Sequence, residues 1–180
     1  MSAVPESFLF VAPPAPALDG EAFRGAQTET LILARCAAQI AAEAGPEATL
    51  VEFGGGSSRN AALLKAALEA LPRSPLRGAA GRRLVFVPGA RTGALPADKL
   101  AALLRRIRDM SGDDALLVVG AATPREPAAR GAASIDCESP RSYSLPCFER
   151  LAHAAGWEHC QFWTDGQSRF AIHVLERAKN

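Results

Sequence analysis

No run of apolar residues in this chain approaches the roughly 18 that a membrane-spanning helix needs. No export signal is expected either: Phe8–Val11 is too short for a signal core, and no Lys or Arg precedes it. Charge of one sign is also missing. Twenty Lys and Arg against nineteen Asp and Glu leave a net charge of +1, which argues against a general polyanion binder such as a nucleic-acid coat. The four cysteines, Cys36, Cys137, Cys147 and Cys160, form no C-x-x-C pair, and His153, His159 and His173 have no helical ligand spacing. No metal site is therefore expected, Cys36 reads as a reduced core thiol, and the expected compartment is the cytoplasm. Acidic residues vanish altogether from Ala70 to Ala97, a window that holds Arg73, Arg77, Arg82, Arg83 and Arg91.

What remains is a chain of 180 residues, 48% hydrophobic, which suits one domain with a packed core. Pro13, Pro14 and Pro16 stop any helix, so residues 1–20 read as extended. The Pro/Ala-rich stretch 1–26 is expected to lie outside a single domain of residues 27–180. From Gln27 to Ala44, Leu33, Cys36, Ala37, Ile40 and Ala44 recur at helical steps, closed by Gly45-Pro46. A strand over 49–53, a helix from about Ser57 to Leu71, and a buried strand from Arg83 to Val87 follow. Pro96 opens the next helix, whose stripe is Leu100, Leu103, Leu104 and Ile107, and Gly112 ends it. Ala115–Gly120 is a third strand, residues 121–133 an exposed connection, and Ser144 caps a helix through Ala155. Strands over 157–164 and 169–176 close the chain around Asp165-Gly166. Alternation of this kind predicts a three-layer α/β/α sandwich, its sheet mostly parallel, with a C-terminal antiparallel hairpin. Ligands in such sheets sit at the carboxyl ends of the strands.

The most informative stretch runs from Glu52 through Phe53, Gly54, Gly55, Gly56, Ser57 and Ser58 to Arg59. It joins a strand to a helix, where a bare backbone lets a ligand come close and amide groups can face a carboxylate or phosphate. The competing reading is a tight turn that merely needs glycine. A dinucleotide fingerprint wants a further Gly where Arg59 stands, and an acid about 20 residues on, which the acid-free window does not supply. Its arginines can serve a phosphate or simply face solvent.

Four blocks carry a resemblance: Thr28-Glu29; E-F-G-G-G-S-S-R-N from Glu52; F-V-P-G-A-R-T-G-A-L-P from Phe86; and W-T-D-G-Q-S-R-F-A-I-H-V-L from Trp163. In that order they are similar to the SAM-dependent histidine-specific methyltransferases, whose best-known member makes N-α-trimethylhistidine for ergothioneine. The resemblance spans most of residues 27–175. It implies a reduced class I methyltransferase (Rossmann-like) core that binds S-adenosylmethionine through Glu52, Gly54, Gly55, Gly56, Ser57 and Ser58. It further implies a small amine or histidine-like substrate met by Glu138, with Tyr143 either lining the same pocket or packing in the core. No catalytic residue is implied.

The chain departs from that family in size and in particular residues. Only Leu71 to Arg82 stands where the family has two further strands carrying the acids that hold ribose and adenine, and residues 121–133 replace its substrate domain. Asn60 stands at a cofactor-contacting Lys, Ala94 at a substrate-holding Asn, and Pro140 at a Ser that partners Glu138. Loss of the ribose carboxylate forfeits a charged hydrogen bond worth roughly 1.5–3 kcal/mol. Loss of the covering domain leaves water in the site. Two readings follow: a shortened methyltransferase, or an inactive relative acting as a binding subunit. Either way residues 49–53 become an edge strand, which predicts a homodimer, a partner protein or the tail segment Phe8–Val11 laid against it.

Overall fold

The computed structural model describes residues 20–54, 59–72, 81–93, 95–124 and 142–179. The first helix, α1 (Gly20–Ala44), buries the expected stripe of Leu33, Cys36, Ala37, Ile40 and Ala44. It begins at Gly20 rather than Gln27. No proline follows Pro16 in this stretch, and residue types such as Glu21, Ala22, Arg24 and Ala26 favour helix without contributing to an apolar stripe. The expected tail before it lies outside the described residues, as does most of the expected connection 121–133.

Next come β1 (Thr49–Glu52), α2 (Arg59–Glu69) and β2 (Arg83–Val87). A one-turn helix absent from the sequence reading, α3 (Gly89–Thr92), leaves the end of β2 directly. Then α4 (Ala97–Ser111) starts behind Pro96, and β3 (Ala115–Ala122) runs two residues past Gly120. The last helix, α5 (Leu145–Ala154), is capped as expected, with the Ser144 hydroxyl accepting from the Cys147 amide. The chain closes with β4 (Trp157–Thr164) and β5 (Phe170–Arg177).

The five strands form one sheet in the order β1-β2-β3-β5-β4. The first three are mutually parallel, and β5 runs antiparallel to both β3 and β4. Strand periodicity divides the core in two. Leu84, Phe86, Leu116, Val118, Ile172 and Val174 point toward α1 and α2. Val85, Val87, Leu117, Val119 and Leu175 point toward α4 and α5, where the Trp157 indole donates to the Leu104 carbonyl at 2.9 Å. This is the expected three-layer sandwich. Both central strands are apolar without interruption because both faces are covered.

The outer strands differ. Among the described residues β1 pairs with β2 alone, so it lies at the edge as anticipated, with Val51 42% exposed. At the other edge the β4–β5 register slips between His159 and Gln161, a bulge at Cys160. Cys36 and Cys160 are free thiols, whereas Cys147 is disulfide-bonded. No described helix is long and apolar enough to cross a membrane.

Candidate functional site at the carboxyl edge of the sheet

Parallel strands deliver the ends of β1, β2 and β3 to one edge of the sheet. The Phe53 amide extends the β1 ladder by donating to the Phe86 carbonyl at 2.8 Å, and the chain then turns at Gly54. Gly54 has φ +131°, a conformation that L side chains rarely adopt, and a Cβ there would lie 2.9 Å from Arg91 Nε. Arg91, on α3, donates from a terminal guanidinium nitrogen to the Gly54 carbonyl at 2.6 Å. The start of the glycine turn is thus held from the neighbouring strand's end.

The helix after the turn is held as well. Asn60 on α2 is buried, and its amide donates to Glu29 Oε2 at 3.0 Å while its oxygen lies 2.6 Å from the Thr30 hydroxyl. Glu29 is only 2% exposed and accepts from the Gly89 amide at 2.8 Å with its other oxygen. Gly89 opens α3, which carries Arg91. A closed circuit results, running Glu29, Gly89, Arg91, Gly54, the glycine turn, Asn60 and back to Glu29.

Two glycines keep this packing close, one against the carboxylate and one against an aromatic ring. A Cβ on Gly120 would stand 1.9 Å from Glu29 Oε1, and one on Gly89 would meet the Phe170 ring at 2.3 Å. Thr92 adds a tie, its hydroxyl lying within hydrogen-bond reach of the Gly89 and Gly120 carbonyls. Burial drives the Glu29 carboxyl up to about 7; the Gly89 amide and the Asn60 side chain pull it back, and the nearby Glu52 charge pushes it up further. Near neutral pH this carboxyl is therefore divided between its two protonation states.

Of the residues named from sequence, Glu52 and Gly54 stand together at the end of β1, Glu52 half-buried. Gly55, Gly56, Ser57, Ser58 and Glu138 lie outside the described residues. Tyr143 is 1% exposed, packs edge-on to Phe148 at 6.5 Å, and gives its hydroxyl to the Leu95 carbonyl. Its phenol is spent on holding the α3–α4 junction, the packing alternative for this residue.

Sequence reasoning named Gly54 and Asn60 but gave Glu29 and Arg91 no place beside them. Glu29 falls in phase with Leu33, Cys36 and Ile40, so an acid on the apolar stripe was a usable signal for burial. Arg91 was visible only as one of the arginines of the acid-free window and as part of the block that follows Phe86. Its companions Arg82 and Arg83 turn out to sit at the opposite edge, where Arg82 pairs with Asp114 and Glu176. A phosphate site built from the whole arginine window is thereby ruled out for those two.

Elsewhere, a shallow groove of about 680 Å³ lies between the C-terminal half of α1 and the edge strand β4, lined by Gln39, Glu43, Phe162 and Trp163 among others. It shares no residue with the glycine turn. On the other face of the sheet, His159 bridges Glu149 (3.3 Å) and His173 Nδ1 (3.1 Å). His173 stacks on Phe148 at 3.8 Å, its Nε2 has no partner, and burial holds its imidazolium down to about 3. Among the described residues no three His, Cys, Asp or Glu gather to hold a metal ion.

This arrangement, a glycine turn leaving β1 of a mixed sheet whose last strand is reversed, is that of the SAM-dependent methyltransferase fold. Residues 20–77 match the family model of the SAM-dependent histidine-specific methyltransferases, the family to which the sequence motifs point. Among solved structures, the 1,6-didemethyltoxoflavin-N1-methyltransferase of Burkholderia thailandensis, with its substrate and S-adenosylhomocysteine bound, superposes with a TM-score of 0.54. The match is 11% identical and covers 92% of this chain and 93% of that one. The mitomycin 7-O-methyltransferase MmcR gives 0.50 at 18% identity, covering 81% of this chain and 54% of its own. The CcbJ methyltransferase from Streptomyces caelestis gives 0.49 at 15% identity, over 82% and 90%. At these identities the likeness is one of fold. No curated protein matches the sequence.

Proposed function

We propose that this chain binds S-adenosylmethionine at the carboxyl ends of β1 and β2 and acts as a methyltransferase on a small amine or histidine-like amino acid. The observation that carries this reading is the turn at Gly54, whose positive φ and lack of a Cβ let the Arg91 guanidinium close on its carbonyl at the edge where such sheets take ligands. The residues present fit the cofactor. Glu52, half-buried at the end of β1, offers a carboxylate to a cationic ammonium beside Gly54. Gly55, Gly56, Ser57 and Ser58 complete the proposed cofactor loop, with Glu138 taking the substrate nitrogen and Tyr143 supporting the wall. Bound S-adenosylmethionine supplies an electrophilic methyl group on sulfonium. The protein's share is to fix the turn, which the Glu29–Asn60–Gly89–Arg91 circuit does without using any exposed side chain.

Isothermal titration with S-adenosylmethionine and S-adenosylhomocysteine tests the reading directly. Binding of both is expected, abolished by Gly54→Val in a variant that still folds. Absence of binding to the native chain would overturn it, and binding of ATP or NADP in their place would replace it.

One observation favours a second reading, an inactive homologue acting as a binding subunit. With β1 at the edge, the sheet offers nothing beyond it among the described residues to hold a nucleoside. No binding of S-adenosylmethionine or S-adenosylhomocysteine by the folded chain would decide for it. The same edge supports a homodimer or partner protein over residues 49–53, or cover by the tail. A chain shortened to begin at Asp19 that stays monomeric and equally stable would refute all cover by the tail. Two free thiols, Cys36 and Cys160, suit the proposed cytoplasmic setting, which further requires Cys147 to be reduced in cells.

A further inference from the structure

Arginines with a described charge partner here pair with carboxylates: Arg82 with Asp114 and Glu176, Arg108 with Asp109, Arg177 with Asp113. Arg91 differs. It is half-buried, its backbone amide is tied to Pro88, and its guanidinium makes one described bond, to the Gly54 carbonyl at 2.6 Å. Arg82, from the same acid-free stretch Ala70–Ala97, finds its carboxylates across the sheet, whereas Arg91 makes no described ion pair. A guanidinium has five N–H donors in a rigid plane matched to carboxylate, and one carbonyl uses a single donor. The group stands at the carboxyl edge of the sheet, its Nε 2.9 Å from the point where a side chain at position 54 would begin. An anion brought to Gly54 lies within reach of this cation.

We propose that Arg91 receives the carboxylate of the ligand held at the glycine turn, so that the site selects the amino-acid end of an S-adenosyl compound. The role rests on the reading that this turn binds S-adenosylmethionine. It is distinct from the backbone role of Gly54, because it gives the site a charge preference that a bare turn lacks. It also places the carboxylate contact on α3 rather than on α2, whose buried Asn60 is uncharged and bonded to Glu29 and Thr30.

Titration with S-adenosylhomocysteine and with 5′-methylthioadenosine, which keeps nucleoside and thioether but lacks the amino acid, separates the outcomes. The native chain should prefer S-adenosylhomocysteine. Arg91→Ala should weaken that ligand at least about tenfold and leave methylthioadenosine within about twofold. Arg91→Lys should retain part of the preference, and Arg91→Gln, which keeps an N–H donor for Gly54, should lose it with the fold intact. Equal weakening of both ligands in Arg91→Ala would overturn the proposal, since Arg91 would then only shape the turn. Undiminished S-adenosylhomocysteine binding would overturn it too, leaving the cofactor reading standing. No binding of either ligand to the native chain would remove both.

Discussion

The two ends of the sheet solve the same problem by opposite means. At the amino ends, Arg82 bridges Asp114, Glu176 and the Glu43 carbonyl, Arg83 reaches the Met110 carbonyl, and Arg177 pairs with Asp113. These are half-exposed or exposed charges, each matched by an opposite charge or a carbonyl. At the carboxyl ends, a single buried carboxylate is matched by a backbone amide and a side-chain amide, with glycine wherever a Cβ would intrude. Charge pairs in water contribute little and tolerate change, whereas a buried polar circuit is costly to disturb. Among the described residues, the second kind of end holds an arginine whose one described bond is to a backbone carbonyl rather than to a carboxylate.

That contrast can be broken most severely at Gly120. Gly120→Ala should destabilise the protein by about 3 kcal/mol or more in urea unfolding, since its methyl group falls on Glu29 Oε1 within the sheet. Adding Glu29→Ala should recover part of the loss; a neutral single variant would mean the carboxyl edge is looser than the amino edge after all.

Next comes the protonation of Glu29. Its folded value of about 7 lies above the ordinary 4.5, so the protein holds this proton more tightly than the unfolded chain does. Stability from this group is full below about pH 4.5 and is lost as pH rises through 7. Relative to the native chain, Glu29→Gln should therefore gain roughly 3 kcal/mol between those limits. Differencing the two chains cancels the opposite trend of His173, which is common to both. A flat difference would show that Glu29 is not the buried acid of this edge. The smallest effect is expected at the amino end. Arg82→Ala should cost about 1 kcal/mol or less, diminishing as salt is added. A loss rivalling that of Gly120→Ala would erase the distinction between the ends.

Much of the architecture was legible because it follows from short-range rules. The unbroken apolar runs Arg83–Val87 and Ala115–Gly120, Pro96 before α4 and Ser144 before α5 each state their own structure. The start of α1 was misplaced because the stripe of Leu33, Cys36 and Ile40 marks a helix's face but not its first turn, and α3 was missed because four residues show no period. The glycine turn was visible as a place. What holds it was not, because the partners come from far along the chain: Glu29 lies 31 residues from Asn60 and 60 from Gly89, and Arg91 lies 37 from Gly54. Such contacts are made by strand order, which periodicity does not encode. His159 and His173 meet for a similar reason, through hairpin pairing altered by the bulge at Cys160.

That bulge has a consequence for assembly. An interrupted ladder twists its strand and resists the docking of another, so β4 presents a poor template while β1 presents an even one. A sheet that can lengthen from both sides propagates into fibres; one that can lengthen from a single side runs out of template after one addition. Should two copies of this chain join through β1, the union would be a closed pair with no onward growth.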